Sequence, residues 1–286
     1  MVQIVRDFRK GGVFGVVMQS ISSLPRFIFG RSEFGRSVLA GFSRQVRSAG
    51  DIDPARCGSW LWLMRSWPRP VEQRYSSPDT SVRLVTGDLF KQGTNLVVGM
   101  SDFFDIETPH IIAESSVQGQ LLSQVYRHDV SELRSDLSSA LAGKVPPQEV
   151  GVAKPGNSDR YAIGTVATIR RQRIHYFCVA YTHMDVNNNV STSIGILWEA
   201  LENLWDEVRA RSNGDPRGRT DYWLGQSGMS TILPIQDAIR FLILSFMFAS
   251  RRQRVCQELV IVIRPQDERR IDMLEVQDFL QSLKRS

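Results

Sequence analysis

Two short apolar runs, separated by a glycine–aspartate turn, place the strongest constraint on how this chain folds. The first run is Val82–Phe90 and the second, after a brief connection, is Asn95–Asp105. Valine and leucine fill both runs, which is typical of short strands that are buried on both faces. Gly87 permits backbone geometry closed to other residues, and Asp88 places a carboxylate at the carboxyl end of the first strand. Open α/β sheets bind ligands at that end, so the turn predicts a ligand site, although such a pair also serves as a plain turn.

The composition is that of a globular protein with room for one large domain and an appendage. Of the 286 residues, 42% are hydrophobic and 23% are charged, which suffices for a sizeable core. The three cysteines are scattered without a Cys-x-x-Cys pair, and the four histidines lack metal-ligand spacing. We therefore predict no disulfide framework, no metal, no cofactor and a reducing, cytoplasmic compartment. His183, with Asp185 two residues on, is interpreted as loop chemistry rather than as a ligand pair.

Basic charge is concentrated in an N-terminal appendage, residues 1–75. This segment holds twelve Arg or Lys and five Asp or Glu, a balance of +7, so the rest of the chain carries −2 of the total of +5. Because the basic charge lies outside the core, we expect no nucleic-acid partner. The longest apolar stretch of the appendage, residues 13–30, is interrupted by polar residues and a proline. It therefore falls short of a membrane span and makes a poor signal peptide.

A second apolar patch in the appendage, Trp60–Met64, is flanked by arginines. Tryptophan beside arginine is typical of a segment that lies on a membrane surface. It is equally typical of a packing element. Contact with the inner face of the membrane, self-association or partner binding, and packing against the core all stay open as interpretations.

A stretch rich in proline and serine, from Trp67 to Asp79, lacks periodicity and predicts a linker. We therefore divide the chain into the appendage, 1–75, and a core domain, 76–286. Apolar residues spaced three and four apart predict helices at residues 131–143, 192–211, 235–251 and 271–283. Apolar runs predict a hairpin of residues 161–169 and 173–181 and a central strand at 258–264.

Two loops are rich in glycine and serine. The first spans Glu114–Gln120 and opens a helix, and the second is Gly225–Gly228. The first backbone N–H groups of a helix lack partners and the helix dipole favours negative charge, so the first loop is a candidate anion site. Ser115 or Ser116 equally suits a plain N-cap, and that alternative stays open.

The order of these elements, together with five motifs, resembles a macro domain, a three-layer α/β/α module that binds ADP-ribose and its relatives. More narrowly, about residues 80–286 resemble the macro-type module of Thoeris anti-phage effectors. The resemblance implies an α/β fold with a mixed central sheet, preceded by the basic appendage. The matching segments are Val85–Phe90, Val98–Asp105, Ser115–Leu122, Tyr161–Val166 and Val260–Pro265.

The resemblance implies ADP-ribose or a derivative as the ligand and gives each motif a role. Asp88 would accept a hydrogen bond from the adenine amino group. The loop at Ser115–Gly119 would lie along the ribose and one phosphate, and Gly225–Gly228 would hold the other phosphate on backbone N–H groups. The implied ligand-binding residues are Gly87, Asp88, Leu89, Asp102, Ser115, Ser116, Val117, Gln118, Gly119, Gly225, Gln226, Ser227 and Gly228.

The segment after the second strand departs from hydrolytic macro domains, which carry an asparagine-rich loop there. Residues 99–105 contain no asparagine. We therefore predict no catalytic residue and favour a sensor, for a signal such as the product of a separate TIR-domain NAD-consuming enzyme. Binding would then alter self-association or membrane contact of the appendage. The alternatives are an ADP-ribosyl hydrolase, in which Asp102 or Asp105 positions a water or a ribose hydroxyl, and a macro-like scaffold without a nucleotide ligand.

Overall fold

The chain folds into strands and helices in the computed structural model, which describes residues 71–91, 94–143, 146–212, 221–225 and 233–284. These residues belong to one compact unit that extends from Arg69 to Ser286. The strands are β1 (Val71–Ser76), β2 (Asp79–Thr86), β3 (Asn95–Ser101), β4 (Val166–Arg171), β5 (Ile174–Met184), β6 (Val190–Ser191), β7 (Asp221–Gly225) and β8 (Glu258–Ile263). The helices are α1 (Val117–Gln120, continued by a π-turn over Leu121–Val125), α2 (Val130–Leu141), α3 (Ile194–Ser212), α4 (Ile235–Arg252) and α5 (Met273–Ser282).

The described strands form one mixed sheet in the order β1-β2-β8-β7-β3-β5-β4, and β6 pairs with β5. From β2 to β5 the neighbouring strands run parallel, whereas β1 and β4 pair antiparallel at the two ends. The predicted mixed central sheet is confirmed. β2 and β3, which carry consecutive motifs in the sequence, are separated in space by β7 and β8. β7 and β8, which come from the C-terminal part of the chain, therefore lie between β2 and β3 in the sheet.

Helices cover both faces of this sheet and give the predicted three-layer α/β/α architecture. On β8, Leu259 and Ile261 join the apolar cluster that includes α3, α4 and α5. Val260 and Val262 join the opposite cluster, which includes α1 and α2. All four side chains are buried. Because successive side chains of a strand point to opposite faces, a strand covered on both sides reads as a continuous apolar run.

The four helices predicted from periodicity are confirmed as α2, α3, α4 and α5. The long pair, α3 and α4, meets through a buried polar contact inside an apolar interface. Trp205 of α3 is fully buried, and its Nε1–H donates to Ser245 Oγ at 3.1 Å. Its ring also meets the ring of Phe246 nearly edge-on, with 5.4 Å between the centroids. The tryptophan can be buried in the core because its polar atom has a partner.

The predicted hairpin is confirmed as β4 and β5, whereas the linker prediction is wrong at its C-terminal part. Val71–Ser76 forms β1, which pairs with β2 across a turn at Ser77 and Pro78. Tyr75 is buried, and its hydroxyl donates to the Leu280 carbonyl oxygen at 2.8 Å. An edge strand with one buried face carries few apolar residues, which explains why the composition resembled that of a linker.

The two apolar patches of the appendage, residues 13–30 and Trp60–Met64, lie outside the described residues. The same holds for residues 226–228 of the second glycine-rich loop. Within the described ranges, the helices are too short or too polar to cross a membrane.

Candidate functional site

Parallel pairing brings the carboxyl ends of five strands to one side of the sheet, which we call the carboxyl edge. Asp88 follows β2, Gly225 ends β7, Asp102 follows β3, and His183 is the penultimate residue of β5. The spatial order of these strands is β2, β8, β7, β3 and β5. Asp88 and His183 therefore stand at opposite ends of the carboxyl edge.

Asp88 lies in a tight turn directly after β2. The Gly87 N–H donates to the Ile263 carbonyl oxygen at 2.9 Å, which extends the β2–β8 pairing past the last residue of β2. Asp88 Oδ1 accepts a hydrogen bond from the Phe90 N–H at 3.0 Å, and Lys91 Nζ lies 3.5 Å from Oδ2. The Asp88 side chain is 33% exposed. The carboxylate is thus held in one orientation while staying accessible from solvent.

Asp102 holds the imidazole of His183 in one orientation. Its side chain is fully buried, with Oδ1 accepting from the Met184 N–H at 3.0 Å and Oδ2 lying 2.9 Å from His183 Nδ1. An ionised carboxylate only accepts hydrogen bonds, so Nδ1 is the donor and Nε2 of the neutral imidazole is an acceptor. The His183 side chain is 49% exposed. The structure therefore presents the imidazole at the surface and keeps the expected ligand-binding carboxylate of Asp102 behind it.

Arg160 completes the cluster around Asp102. Its Nε lies 3.4 Å from Asp102 Oδ2, and its Nη1 lies 2.9 Å from Glu149 Oε2. The Nη2–H donates to the Met184 carbonyl oxygen at 3.2 Å, and the guanidinium lies 4.8 Å from the centre of the Phe103 ring. One positive charge is therefore shared between two carboxylates.

Asp105, the other carboxylate of this loop, is enclosed in a buried ion pair. Lys154 Nζ lies 2.9 Å from Oδ2 with both side chains fully buried, and the Asn157 N–H donates to Oδ1 at 2.7 Å. Lys154 Nζ also donates to the carbonyl oxygens of Pro155 at 2.8 Å and Asn157 at 3.3 Å. Burial raises the pKa of Asp105, while the hydrogen bonds from Asn157 and Lys154 act to lower it. The enclosed carboxylate offers no surface to a water or a ribose hydroxyl.

An asparagine does reach the loop after β3, but from a distant part of the chain. Asn157 Nδ2 donates to the carbonyl oxygens of Phe103 at 3.0 Å and Phe104 at 2.9 Å. Phe104 has a φ of 53°, in the left-handed region that non-glycine residues seldom adopt. The Asn157 amide thus holds an unusual backbone turn in place, and its donors are used up in doing so.

The loop that opens α1 is capped by its own serine. Ser116 Oγ accepts from the Gly119 N–H at 3.0 Å and donates to the Ala113 carbonyl oxygen at 2.7 Å, so the N-cap alternative is confirmed for Ser116. A Cβ atom at Gly119 would lie 2.5 Å from that carbonyl oxygen and 2.7 Å from Glu114 Cα. Glycine is therefore needed for the close approach of the loop to its own backbone. The Ser115 side chain is exposed.

Residues 82–264 match the family model of the Thoeris protein ThsA macro domain. The match covers roughly two-thirds of the chain and includes every strand from β3 to β8, most of β2, and the loops of the carboxyl edge. This chain belongs to that family. The predicted resemblance to a macro domain is confirmed. The three-layer α/β/α fold described above is therefore a macro-domain fold.

Solved structures similar to this macro domain include the macrodomain of Oceanobacillus iheyensis. A variant of it is 12% identical with a TM-score of 0.44, and the alignment covers 74% of this chain and 97% of that chain. A variant with ADPR is 13% identical, with a TM-score of 0.42 and coverage of 75% and 100%. The same macrodomain with ADP is 13% identical, with a TM-score of 0.41 and coverage of 76% and 98%. Among curated proteins, none matches this chain.

Besides Asp102, three predicted ligand-binding residues of the macro domain have buried side chains, namely Leu89, Val117 and Gln118. Leu89 and Val117 pack in the apolar cluster that includes α1 and α2. Gln118 Nε2 donates to the Asp105 carbonyl oxygen and so connects α1 to the loop after β3. Any ligand contact by these three residues would therefore involve backbone groups.

The second glycine-rich loop of the macro domain begins at the carboxyl edge. Gly225 is the last residue of β7 and pairs with Val262 of β8. Gln226, Ser227 and Gly228 lie outside the described residues. Within the described part of the chain, no cluster of three or more His, Cys, Asp or Glu side chains could hold a metal ion.

A polar groove of about 750 Å³ lies near the turn between β4 and β5. Its central guanidinium, that of Arg171, lies 4.3 Å from the centre of the Tyr126 ring and pairs with Glu132 at 2.8 Å and Asp136 at 3.3 Å. Tyr126 in turn donates to Asp136 at 2.7 Å. These groups pair with one another, so the carboxyl edge is the better candidate for a ligand.

The sequence alone does not identify His183, Arg160 or Lys154 as part of the site. Asp102 and His183 are 81 residues apart, and Asp105 and Lys154 are 49 residues apart. One usable signal is position, because His183 lies near the end of a predicted strand. A polar residue there shares the carboxyl edge with Asp88 if the two strands run parallel.

Proposed function

We propose that this macro domain binds ADP-ribose or an ADP-ribose-derived nucleotide along the carboxyl edge and acts as the sensor of an anti-phage effector. The observation that carries the proposal is the Asp88 turn. It presents an oriented, partly exposed carboxylate at a strand end, within a chain of the ThsA macro family. A carboxylate at this position suits the amino group of adenine, which is a hydrogen-bond donor.

The Asp88 carboxylate is accessible to a ligand, because its side chain is 33% exposed. The Phe90 N–H orients it by donating to Oδ1. The pair with Lys91 is weak, because the lysine is 78% exposed and water screens it. An adenine amino group can therefore approach the carboxylate from solvent.

The elements beside β2 suit the phosphates of the proposed ligand. β8 and β7 lie between β2 and β3, so a nucleotide that starts at Asp88 and follows the carboxyl edge passes the end of β8 and then Gly225 at the end of β7. Glycine lets a backbone approach a phosphate closely, and backbone N–H groups in such loops bind anions. The loop at Ser115 and Ser116 opens α1, whose Gln118 is bonded to the loop after β3. It would contribute first-turn N–H groups other than that of Gly119, which Ser116 caps. These phosphate contacts are part of the proposal.

Calorimetric titration of ADP-ribose into the full chain tests the proposal. Asp88→Ala removes a charge-assisted hydrogen bond of about 1.5–3 kcal/mol, so we expect affinity to fall roughly tenfold to a hundredfold. Asp79→Ala is the matched control, since Asp79 is an exposed carboxylate at the opposite end of the same strand, paired with Arg74. Equal affinities for Asp88→Ala and the wild type would reject the assigned adenine contact.

Two other functions predict different results. The hydrolase alternative has weaker support, because Asp102 and Asp105 are both fully buried and both bound to protein partners. Release of free ADP-ribose from an ADP-ribosylated substrate would establish it nonetheless. The scaffold alternative predicts no thermal shift with any adenine nucleotide. The sensor proposal requires binding without turnover, followed by a change in self-association or membrane contact of the appendage.

A further inference from the structure

The proposed adenine and phosphate contacts do not involve His183, although its imidazole is exposed at the carboxyl edge. We propose that His183 determines specificity for the end of the ligand remote from adenine, by accepting a hydrogen bond from a hydroxyl group there. This inference rests on the proposed function, because it assumes a nucleotide whose adenine binds at Asp88.

Sheet order places His183 where the remote end of such a ligand would lie. From β2 to β5 there are four inter-strand steps, since β8, β7 and β3 lie between them. Neighbouring strands are about 4.8 Å apart, so the distance from Asp88 to His183 along the edge is roughly 19 Å. An extended dinucleotide-like ligand, with a diphosphate between two sugars, is of this order of length. Its second sugar would therefore reach β3 and β5 rather than β8 or β7.

The protonation pattern of His183 is set by its buried partner. Because Asp102 Oδ2 accepts from Nδ1, the neutral imidazole exposes the lone pair of Nε2. Within the described residues, Nε2 has no hydrogen-bond partner, and half of the side chain is exposed. The Met184 N–H and Arg160 hold Asp102 in place. The imidazole ring therefore cannot flip without breaking the contact between Nδ1 and the buried Asp102 carboxylate. This is a preorganised acceptor.

The charges around His183 favour a neutral donor over an anion. Asp102 and Glu149 share the single positive charge of Arg160, so this cluster carries a net negative charge. The surroundings of the imidazole are therefore acidic, which disfavours a phosphate or carboxylate. A sugar hydroxyl, which donates a hydrogen bond and carries no charge, suits this environment.

The experiment compares ADP-ribose with ADP, which lacks the second sugar, on the full-length wild type and on His183→Phe. His183 is half-exposed, so the variant should fold, and equal melting temperatures would verify this. We expect the affinity of His183→Phe for ADP-ribose to fall roughly two- to tenfold, the effect of one neutral hydrogen bond, with ADP unchanged. His183→Gln keeps an acceptor at the Nε2 position and should recover part of the loss. In contrast, Asp88→Ala should weaken both ligands.

The outcomes separate this inference from the proposed function. An unchanged ratio of ADP-ribose to ADP affinity in His183→Phe, whether both affinities fall or neither does, overturns the role of His183 and leaves the proposed function intact. A wild-type protein that binds neither nucleotide overturns the proposed binding of ADP-ribose itself, and this inference falls with it. Loss of preference for ADP-ribose in His183→Phe, with partial recovery in His183→Gln, supports the inference.

Discussion

Replacing Lys154 by methionine tests how the loop after β3 is held in place. The Lys154 ammonium donates to three oxygens, those of Asp105 Oδ2, Pro155 and Asn157, and is fully buried. Lys154→Met removes all three contacts and leaves the buried Asp105 carboxylate with the Asn157 N–H as its remaining described partner. Breaking a buried ion pair in this way costs about 3–5 kcal/mol, because the surviving charge is uncompensated. For a domain of 150–250 residues, 1 kcal/mol shifts Tm by about 2–4 °C, so we expect a loss of roughly 6–20 °C.

The pH dependence of that loss follows from Asp105. Burial already raises the pKa of Asp105, and removing Lys154 removes an influence that lowers it. An acid whose pKa is higher in the folded state binds more protons there, so its folded state gains stability as pH falls through that pKa. The penalty of Lys154→Met should therefore be smaller at pH 5 than at pH 7.

Urea denaturation of both proteins at the two pH values measures the penalty. Lys91→Met is the matched control, since Lys91 makes an exposed pair with Asp88 and should change stability by less than about 1 kcal/mol. The double variant of Lys154→Met with Asp105→Asn removes both charges and should be less destabilised than the sum of the singles. A loss below about 1 kcal/mol for Lys154→Met, or strict additivity in the double variant, would refute the buried pair as an anchor.

Two further predictions concern residues near the site and in the core. Gly156→Ala should cost more stability than Gly151→Ala in thermal melts, although both glycines have a positive φ, of 91° and 71°. An added Cβ at Gly156 would lie 2.3 Å from Asp105 Oδ1, whereas an added Cβ at Gly151 would have no atom within 4 Å. Equal losses of stability in the two variants would contradict this packing. Burial raises the pKa of Cys178 to about 12, so native protein at pH 8 should resist iodoacetamide at this position. Peptide mass mapping should find Cys178 modified by iodoacetamide only when urea is present. Rapid labelling of Cys178 without urea would show that this thiol lies at the surface.

The fold was largely predictable because its signals are local. The central strand β8 is a continuous apolar run, and α3 and α4 carry apolar residues at helical spacing over four turns or more. The Gly87–Asp88 turn follows such a run directly. β1 escaped prediction because an edge strand buries one face and owes its place to β2 and to the contact between Tyr75 and α5.

The candidate site was only partly predictable because its contacts join distant segments. Asp102 and Asp105 look alike in sequence, as two carboxylates after a strand. Their partners, His183 and Lys154, lie 81 and 49 residues further along. Sequence spacing carries no information about which of two such carboxylates faces a ligand. In the structure, the Asp102 and Asp105 carboxylates are both bound to protein partners.

This use of Asp102 and Asp105 bears on how the macro domain can recognise a nucleotide. Both carboxylates anchor the loop after β3. Asp105 pairs with Lys154, and Asp102 contacts His183 and Arg160. The loop is therefore built in advance of any ligand, and binding need not supply the free energy to order it. Among the described side chains, the carboxyl edge offers the proposed ligand the Asp88 carboxylate at one end and the His183 imidazole at the other. Under the proposed function, these two acceptors at opposite ends of the edge would contact both ends of a nucleotide.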